Sequence, residues 1–187
     1  QYVKGESYKP TDSGKFAVLK DICETIRENQ ECVLIFTQYK EIIPYLVDYL
    51  GDVFEARGLS IDGSTPVSKR AEIVDAFNNQ TSYIPFIVLS LKAGGTGLNL
   101  TKASHVIHFD RWWNPAVENQ ATDRAYRIGQ KQNVLVHKLV CTGTIEEHID
   151  ELIESKKELA EQVIGSGADK WITEMSNEEL LDLVRLD

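Results

Sequence analysis

Pro85-Phe-Ile-Val-Leu-Ser-Leu-Lys-Ala-Gly-Gly-Thr-Gly-Leu-Asn-Leu-Thr-Lys-Ala-Ser-His-Val-Ile-His-Phe-Asp110 is the stretch that decides how this chain folds. Residues 85–90 form a short continuous apolar run, the pattern of a strand buried on both faces of a parallel sheet. Residues 104–109 read as another such strand. Between them lies a glycine-rich loop, 92–100. Gly94, Gly95 and Gly97 fall within four positions and permit positive φ and close backbone approach. Backbone amides freed in this way can face a phosphate, and Lys92 adds charge. A plain turn is the competing reading of such a loop.

Working outward, residues 32–36 are a second apolar run, 59–61 a short strand, and 134–140 a further strong one. Helical spacing lies between them. Phe16, Leu19, Ile22, Cys23 and Ile26 recur over 14–29, with Ser13 as a cap. Residues 39–50 read as a helix that Pro44 either kinks or starts late. Gly63-Ser-Thr-Pro66 is a turn, and Pro66 opens a helix to about residue 78. Strands alternating with helices predict an α/β fold: a three-layer parallel sheet with helices on both faces. Ligands in such folds bind at the carboxyl ends of the strands. Thr37-Gln38, Gly63-Ser64-Thr65, the loop 92–99 and Asp110-Arg111 would all lie on that edge.

The segment 110–130 carries the most chemistry. Asn114-Pro115 reads as a helix start, with Asn as cap and Pro in the first turn. Nothing breaks that helix before Ile128. At about 100° per residue, Gln120, Arg124 and Arg127 fall within roughly 60° of one another. Val117, Ala121, Ala125 and Ile128 form an adjoining apolar stripe. Arginines held in this way suit phosphate oxygens, because the fork is always charged and bonds in two places. A solvated face, with Asp123 and Arg127 as an ordinary i,i+4 pair, is the plainer alternative. Trp112 and Trp113 directly before the helix weigh against it.

Composition narrows the class. With 187 residues, 42% hydrophobic and 26% charged, the chain suits one well-cored domain with a small appendage. No run approaches the roughly 18 apolar residues of a membrane span. The start at Gln1 lacks both a methionine and an apolar leader, so a fragment of a longer chain is expected. Cys23, Cys32 and Cys141 form no CxxC pair and no disulfide framework, as expected of a reducing compartment. His105 and His108 sit three apart on a strand and point to opposite faces, so no zinc site is expected. The net charge of −9 argues against strong nucleic-acid binding by the whole chain, though not against a local basic edge.

After residue 143 the pattern becomes helical. Thr144 and Glu147 suggest a capping box, and a helix runs to about Ile164. Gly165-Ser-Gly167 breaks it, and 177–186 is a short helix. We read residues 1–143 as the core domain and 144–187 as a helical appendage packed against it.

The order of these blocks resembles the second, C-terminal RecA-like lobe of Swi/Snf-type ATPases of helicase superfamily two. Residues 32–39 look like their motif IV, and Gly63-Ser-Thr65 like the backbone-binding turn after it. Residues 90–100 resemble motif V. Gln120-Ala-Thr-Asp-Arg-Ala-Tyr-Arg-Ile-Gly-Gln130 resembles motif VI, and its Arg-Ile-Gly-Gln is the most family-specific tetrapeptide. The resemblance covers about residues 13–160.

That resemblance implies roles. Arg124 and Arg127 would reach across the interlobe cleft to the ATP phosphates as arginine fingers, with Gln120 as their polar partner. Gly97 and Asn99 would lie near the nucleotide. Thr37, Gln38, Ser64, Thr65 and Lys92 would meet the phosphate backbone of double-stranded DNA, contacts that carry no sequence information. Trp112 or Trp113 would lie at the DNA face. The implied cofactor is ATP with Mg²⁺, bound mainly by a first lobe, with no metal held by this chain. The implied partners are duplex DNA, that first lobe and a protein cargo on DNA.

No P-loop and no acidic Walker B motif occur in the sequence. The chain alone is therefore expected not to hydrolyse ATP. The compact ending at 171–180 resembles bacterial and archaeal members, which implies a prokaryotic cytoplasmic protein (nuclear if eukaryotic). The alternative function is a non-catalytic α/β interaction module.

Overall fold

The structure, a computed structural model, describes residues 9–79, 83–94, 97–123 and 133–162. Five strands form one sheet: β1 (Val33–Thr37), β2 (Leu59–Ile61), β3 (Phe86–Ser90), β4 (His105–His108) and β5 (Leu135–Lys138). Their order is β2-β3-β1-β4-β5. Every neighbouring pair is parallel, with Val33 opposite both Phe86 and His105. β1, β3 and β4 are buried along their whole length, as their apolar character requires.

Side chains alternate across a strand, so each strand feeds two cores. Val33, Ile35, Phe86, Val88 and Ile107 pack against α1 (Gly14–Glu28) and α2 (Ile43–Phe54). Leu34, Phe36, Ile87, Leu89 and Val106 pack on the other face. There they meet Phe77 of α3 (Val67–Asn78), Ala93 of α4 (Leu91–Gly94) and Ala121 of α5 (Pro115–Thr122). Phe16, Phe36, Phe77 and Phe86 are fully buried, each contributing roughly 1.5–3 kcal/mol. The loop between α2 and β2 approaches β3 closely at Gly58. A Cβ on Gly58 would lie 2.0 Å from the Phe86 ring, so only glycine fits.

The expected three-layer parallel sheet is the observed one, and element limits differ by a residue or two except at the helix expected over 39–50, which runs Ile43–Phe54. Pro44 does not kink a helix. A 3-10 turn, Lys40–Ile42, precedes it, and α2 starts later with Pro44 in its first turn, where a missing N–H costs nothing. The expected glycine loop opens with one helical turn, α4, because the Ser90 hydroxyl accepts the Ala93 amide at 3.3 Å. Asn114 caps α5 by accepting the Ala116 amide at 2.9 Å. Helix α6 (Ile145–Gln162) starts as the Thr144 hydroxyl accepts the Glu146 amide. The Glu147 carboxylate reaches back to the Gly143 amide at 2.7 Å, one residue earlier than a capping box would place it. Ile149 and Ile153 of α6 are buried.

The continuation of the arginine helix, with Arg124, Arg127 and Ile128, lies outside the described residues, as do Gly94-to-Gly97 positions 95–96 and the appendage from 163 to 187. Among the described residues no helix is long and apolar enough to cross a membrane. Cys23 and Cys32 are buried free thiols and Cys141 is half-buried. Burial pushes the Cys23 thiol up to about 12.

Candidate functional site

Parallel pairing puts the carboxyl ends of all five strands on one edge. Along it, in sheet order, lie the turn 62–65 after β2, α4 and the loop 97–100 after β3, Gln38 after β1, and residues 110–113 after β4.

Asp62 organises the first of these. One of its carboxylate oxygens accepts the Ser64 amide at 2.8 Å, the Ser64 hydroxyl at 2.7 Å, the Thr65 amide at 3.0 Å and the Thr65 hydroxyl at 3.1 Å. These bonds, the Ser64 hydroxyl foremost, hold the Asp62 carboxyl below its ordinary range. Arg70 closes the turn from below, donating to the carbonyls of Thr65, Asp62 and Gly63. Ser64 is exposed and Thr65 half-buried.

The glycine loop is fixed from two sides. Asn78, at the end of α3, donates to the Asn99 carbonyl at 2.7 Å. Leu98 and Leu100 are buried in the same core as Ala121 of α5, which sets the loop beside that helix. Gly97 has φ of 71°, in the region that favours glycine. Gly97, Asn99, Lys92 and Gln120 are all exposed.

Asp110 joins β4 to β1. It accepts the Thr37 hydroxyl and, at 3.2 Å, the Gln38 amide, and it lies 3.9 Å from Lys15. Burial pushes its carboxyl up, against the pull of Thr37 and Lys15. Thr37, which the resemblance implies as a DNA contact, is fully buried. It is the last residue of β1 and falls on the same face as Val33 and Ile35, so its hydroxyl is spent inside the protein. Gln38 is half-buried, and its side-chain amide donates to the Arg111 carbonyl at 3.4 Å. Trp112 and Trp113 stack, with ring centroids 3.9 Å apart. Trp112 packs against the core, and Trp113, 46% exposed, is the one that faces solvent.

Two buried charges escaped the sequence reading. Arg111 is 2% exposed and Glu118 is 1% exposed. They face each other, Nε to Oε1, at 3.2 Å. A glutamate facing inward beside the stripe of Val117 and Ala121 has no mark in the sequence. The only signal was position: Glu118 lies in the first turn of α5, one helical turn from Asn114.

His108 ties β4 to α5. Its Nε2 lies 3.0 Å from the Thr122 hydroxyl, which itself donates to the Glu118 carbonyl. Thr122 is therefore the acceptor and the imidazole carries its proton on Nε2. Nδ1 has no hydrogen-bond partner. Burial first, then Lys138 and Arg111, lower the His108 pKa to about 4. The unfolded imidazole titrates near 6.5. Between those values only the unfolded chain takes up the proton. Stability is therefore full above pH 6.5 and falls as pH drops toward 4, by roughly 3 kcal/mol. His108→Leu should flatten that acid limb in urea unfolding measured from pH 7 to pH 4. An unchanged slope would contradict the assignment.

Among the described residues no cluster of three or more His, Cys, Asp or Glu could hold a metal ion.

Residues 14–129 match the family described as the helicase conserved C-terminal domain. The chain is 51% identical over 174 residues to a candidate ATP-dependent helicase/translocase of Bacillus subtilis, covering 93% of this chain and 18% of that protein. It is 39% identical over 166 residues to the human chromatin-remodeling ATPase INO80, covering 88% of this chain and 10% of that protein. The Sulfolobus solfataricus SWI2/SNF2 ATPase core in complex with dsDNA superposes with a TM-score of 0.77 at 41% identity, covering 99% of this chain and 38% of that one. The chain thus spans less than a fifth of the length of these curated relatives. It belongs to the helicase C-terminal domain family, as the C-terminal RecA-like lobe of a Swi2/Snf2-type ATPase.

Proposed function

We propose that this lobe is the C-terminal half of an ATP-dependent motor that translocates on double-stranded DNA. The observation that carries this reading is the shared edge. The Ser64–Thr65 turn, Lys92, the Gly97–Asn99 loop, Trp113 and Gln120 project from loops at the carboxyl ends of parallel strands and from α5 beside them.

The roles divide along that edge. The turn at Ser64 and Thr65, with Lys92 and Gln38, grips DNA phosphates without reading sequence. Trp113 is the aromatic contact at the DNA face. Thr37, spent on Asp110, positions Gln38 rather than touching DNA. Gly97 and Asn99 border the nucleotide, and Gln120 with Arg124 and Arg127 supplies the charge-stabilising groups. ATP, bound with Mg²⁺ chiefly by the first lobe, supplies the phosphoryl group that passes to water. Lobe closure then moves the phosphate grip along the duplex. A first lobe in the same polypeptide is the obligate partner, and this lobe alone is inactive. The proteins displaced or remodelled on the DNA are the cargo, and the compartment is a prokaryotic cytoplasm.

Lys92→Ala in the two-lobed protein tests the grip. Duplex affinity should fall about equally for unrelated sequences, and the slope of log affinity against log salt should decrease by about 1. An unchanged slope would remove Lys92 from the interface.

A further inference from the structure

Four elements meet at one buried charged cluster that the proposed roles leave unused. Arg111 stands in the β4–α5 loop. Its Nη1 pairs with Asp150 of α6, and its Nε faces Glu118 of α5. Glu118 also accepts the Trp112 amide at 2.8 Å, and its second oxygen lies 3.6 Å from the Lys138 ammonium of β5. A second tie runs alongside. Lys15 of α1 pairs with Glu146 of α6 at 2.6 Å and donates to the Phe109 carbonyl at 2.7 Å. The first turns of α6 thus hold both sides of the Asp110–Arg111 step.

Stability is a weak reason for this arrangement. Desolvating such charges often costs as much as their attraction returns, and apolar residues of similar size serve as well. Arg111 Nη2 and Nε and Glu118 Oε2, moreover, have no hydrogen-bond partner, so the Arg111–Glu118 contact is an ion pair only, and each such group costs roughly 1–3 kcal/mol. What charges give that apolar contacts do not is direction: a planar fork fixes two carboxylates relative to each other.

We propose that Arg111 is a positioning residue. Paired with Asp150 on one side and Glu118 on the other, it transmits the seating of helix α6 to the pose of α5. The sequence of α5 runs directly on into Arg124 and Arg127. The inference rests on the reading of this lobe as half of an ATPase. It makes α6 a lever on that half-site: whatever shifts α6 shifts α5.

The test uses the two-lobed protein on duplex DNA. Asp150 is one-third exposed, so Asp150→Asn removes the charge without opening the core. Its kcat should fall about ten- to hundredfold, the scale of a misplacement near 1 Å. KM for ATP, DNA affinity and Tm should stay within twofold or a degree or two. Arg111→Lys, which keeps charge and loses the fork, should show the same split, and Asp150→Glu should recover most of kcat. Two outcomes would overturn the proposal: kcat unchanged in Asp150→Asn and Arg111→Lys, or kcat, KM and Tm lost together with no recovery in Asp150→Glu. Arg127→Ala, assayed in parallel, separates the two levels. If it is inactive while Asp150→Asn is normal, only the lever fails. If it turns over normally, the arginine-finger assignment fails and takes the lever with it.

Discussion

Arg127→Ala in the two-lobed protein is expected to lower DNA-stimulated ATP turnover by about 10³-fold or more, the usual size of an arginine-finger loss. Nucleotide binding should largely survive, because the first lobe holds most of the nucleotide. The signature is therefore a collapse of kcat with KM little changed, as when an interaction made only in the transition state is removed. Steady-state ATPase assays with and without duplex DNA would read both. Arg127 is chosen because its sequence spacing from Gln120 and Arg124 is that of one helical face, and because α5 begins as the sequence requires, capped by Asn114 and packed through Ala121 against the glycine loop. Near-normal turnover in the variant would sink the arginine assignment.

Glu118→Ala should be the most damaging change to stability at the site. It would leave the Arg111 guanidinium buried with one carboxylate instead of two, and would also remove the acceptor of the Trp112 amide. Breaking a buried pair from one side costs about 3–5 kcal/mol. Urea unfolding should show this as a lowered midpoint with an unchanged m-value. A loss under about 1 kcal/mol would mean that Glu118 is not the partner that the geometry makes it. Replacing Arg111 and Glu118 together by apolar residues of similar volume should recover much of the loss, since no lone charge would remain.

These two residues also mark where the sequence stopped being legible. The sheet was readable because buried parallel strands must be apolar on both faces, and residues 32–36 and 85–90 are. The strand-end loops were readable because glycine, serine and threonine after such strands have few other uses. The family resemblance rested on the same blocks. Glu118 was not readable. A glutamate on an amphipathic helix is nearly always solvated, and its burial depends on Arg111, Lys138 and Asp150 converging from three other elements. Thr37 lies deeper than its sequence position suggested, for a related reason. Its place after an apolar run suggested a loop, but β1 continues through it in register with Ser90 and turns the hydroxyl onto Asp110. Asp110 holds the loop after β1 through Thr37 and the Gln38 amide. Polar groups that answer one another across 39 or 73 residues leave no local pattern.

The acidic balance of −9 is compatible with a local phosphate contact at Lys92. Lys92 is an exposed cation on the strand-end edge, while the Ser64 and Thr65 amides and hydroxyls already donate to Asp62. DNA affinity of the isolated lobe should be weak for the same reason.

The most direct test combines this chain with its first lobe and measures ATP hydrolysis with and without duplex DNA. Turnover well above that of the first lobe alone, and raised further by duplex DNA, is the expected result. No gain over the first lobe alone would contradict it, and would leave the chain a non-catalytic interaction module on the same fold.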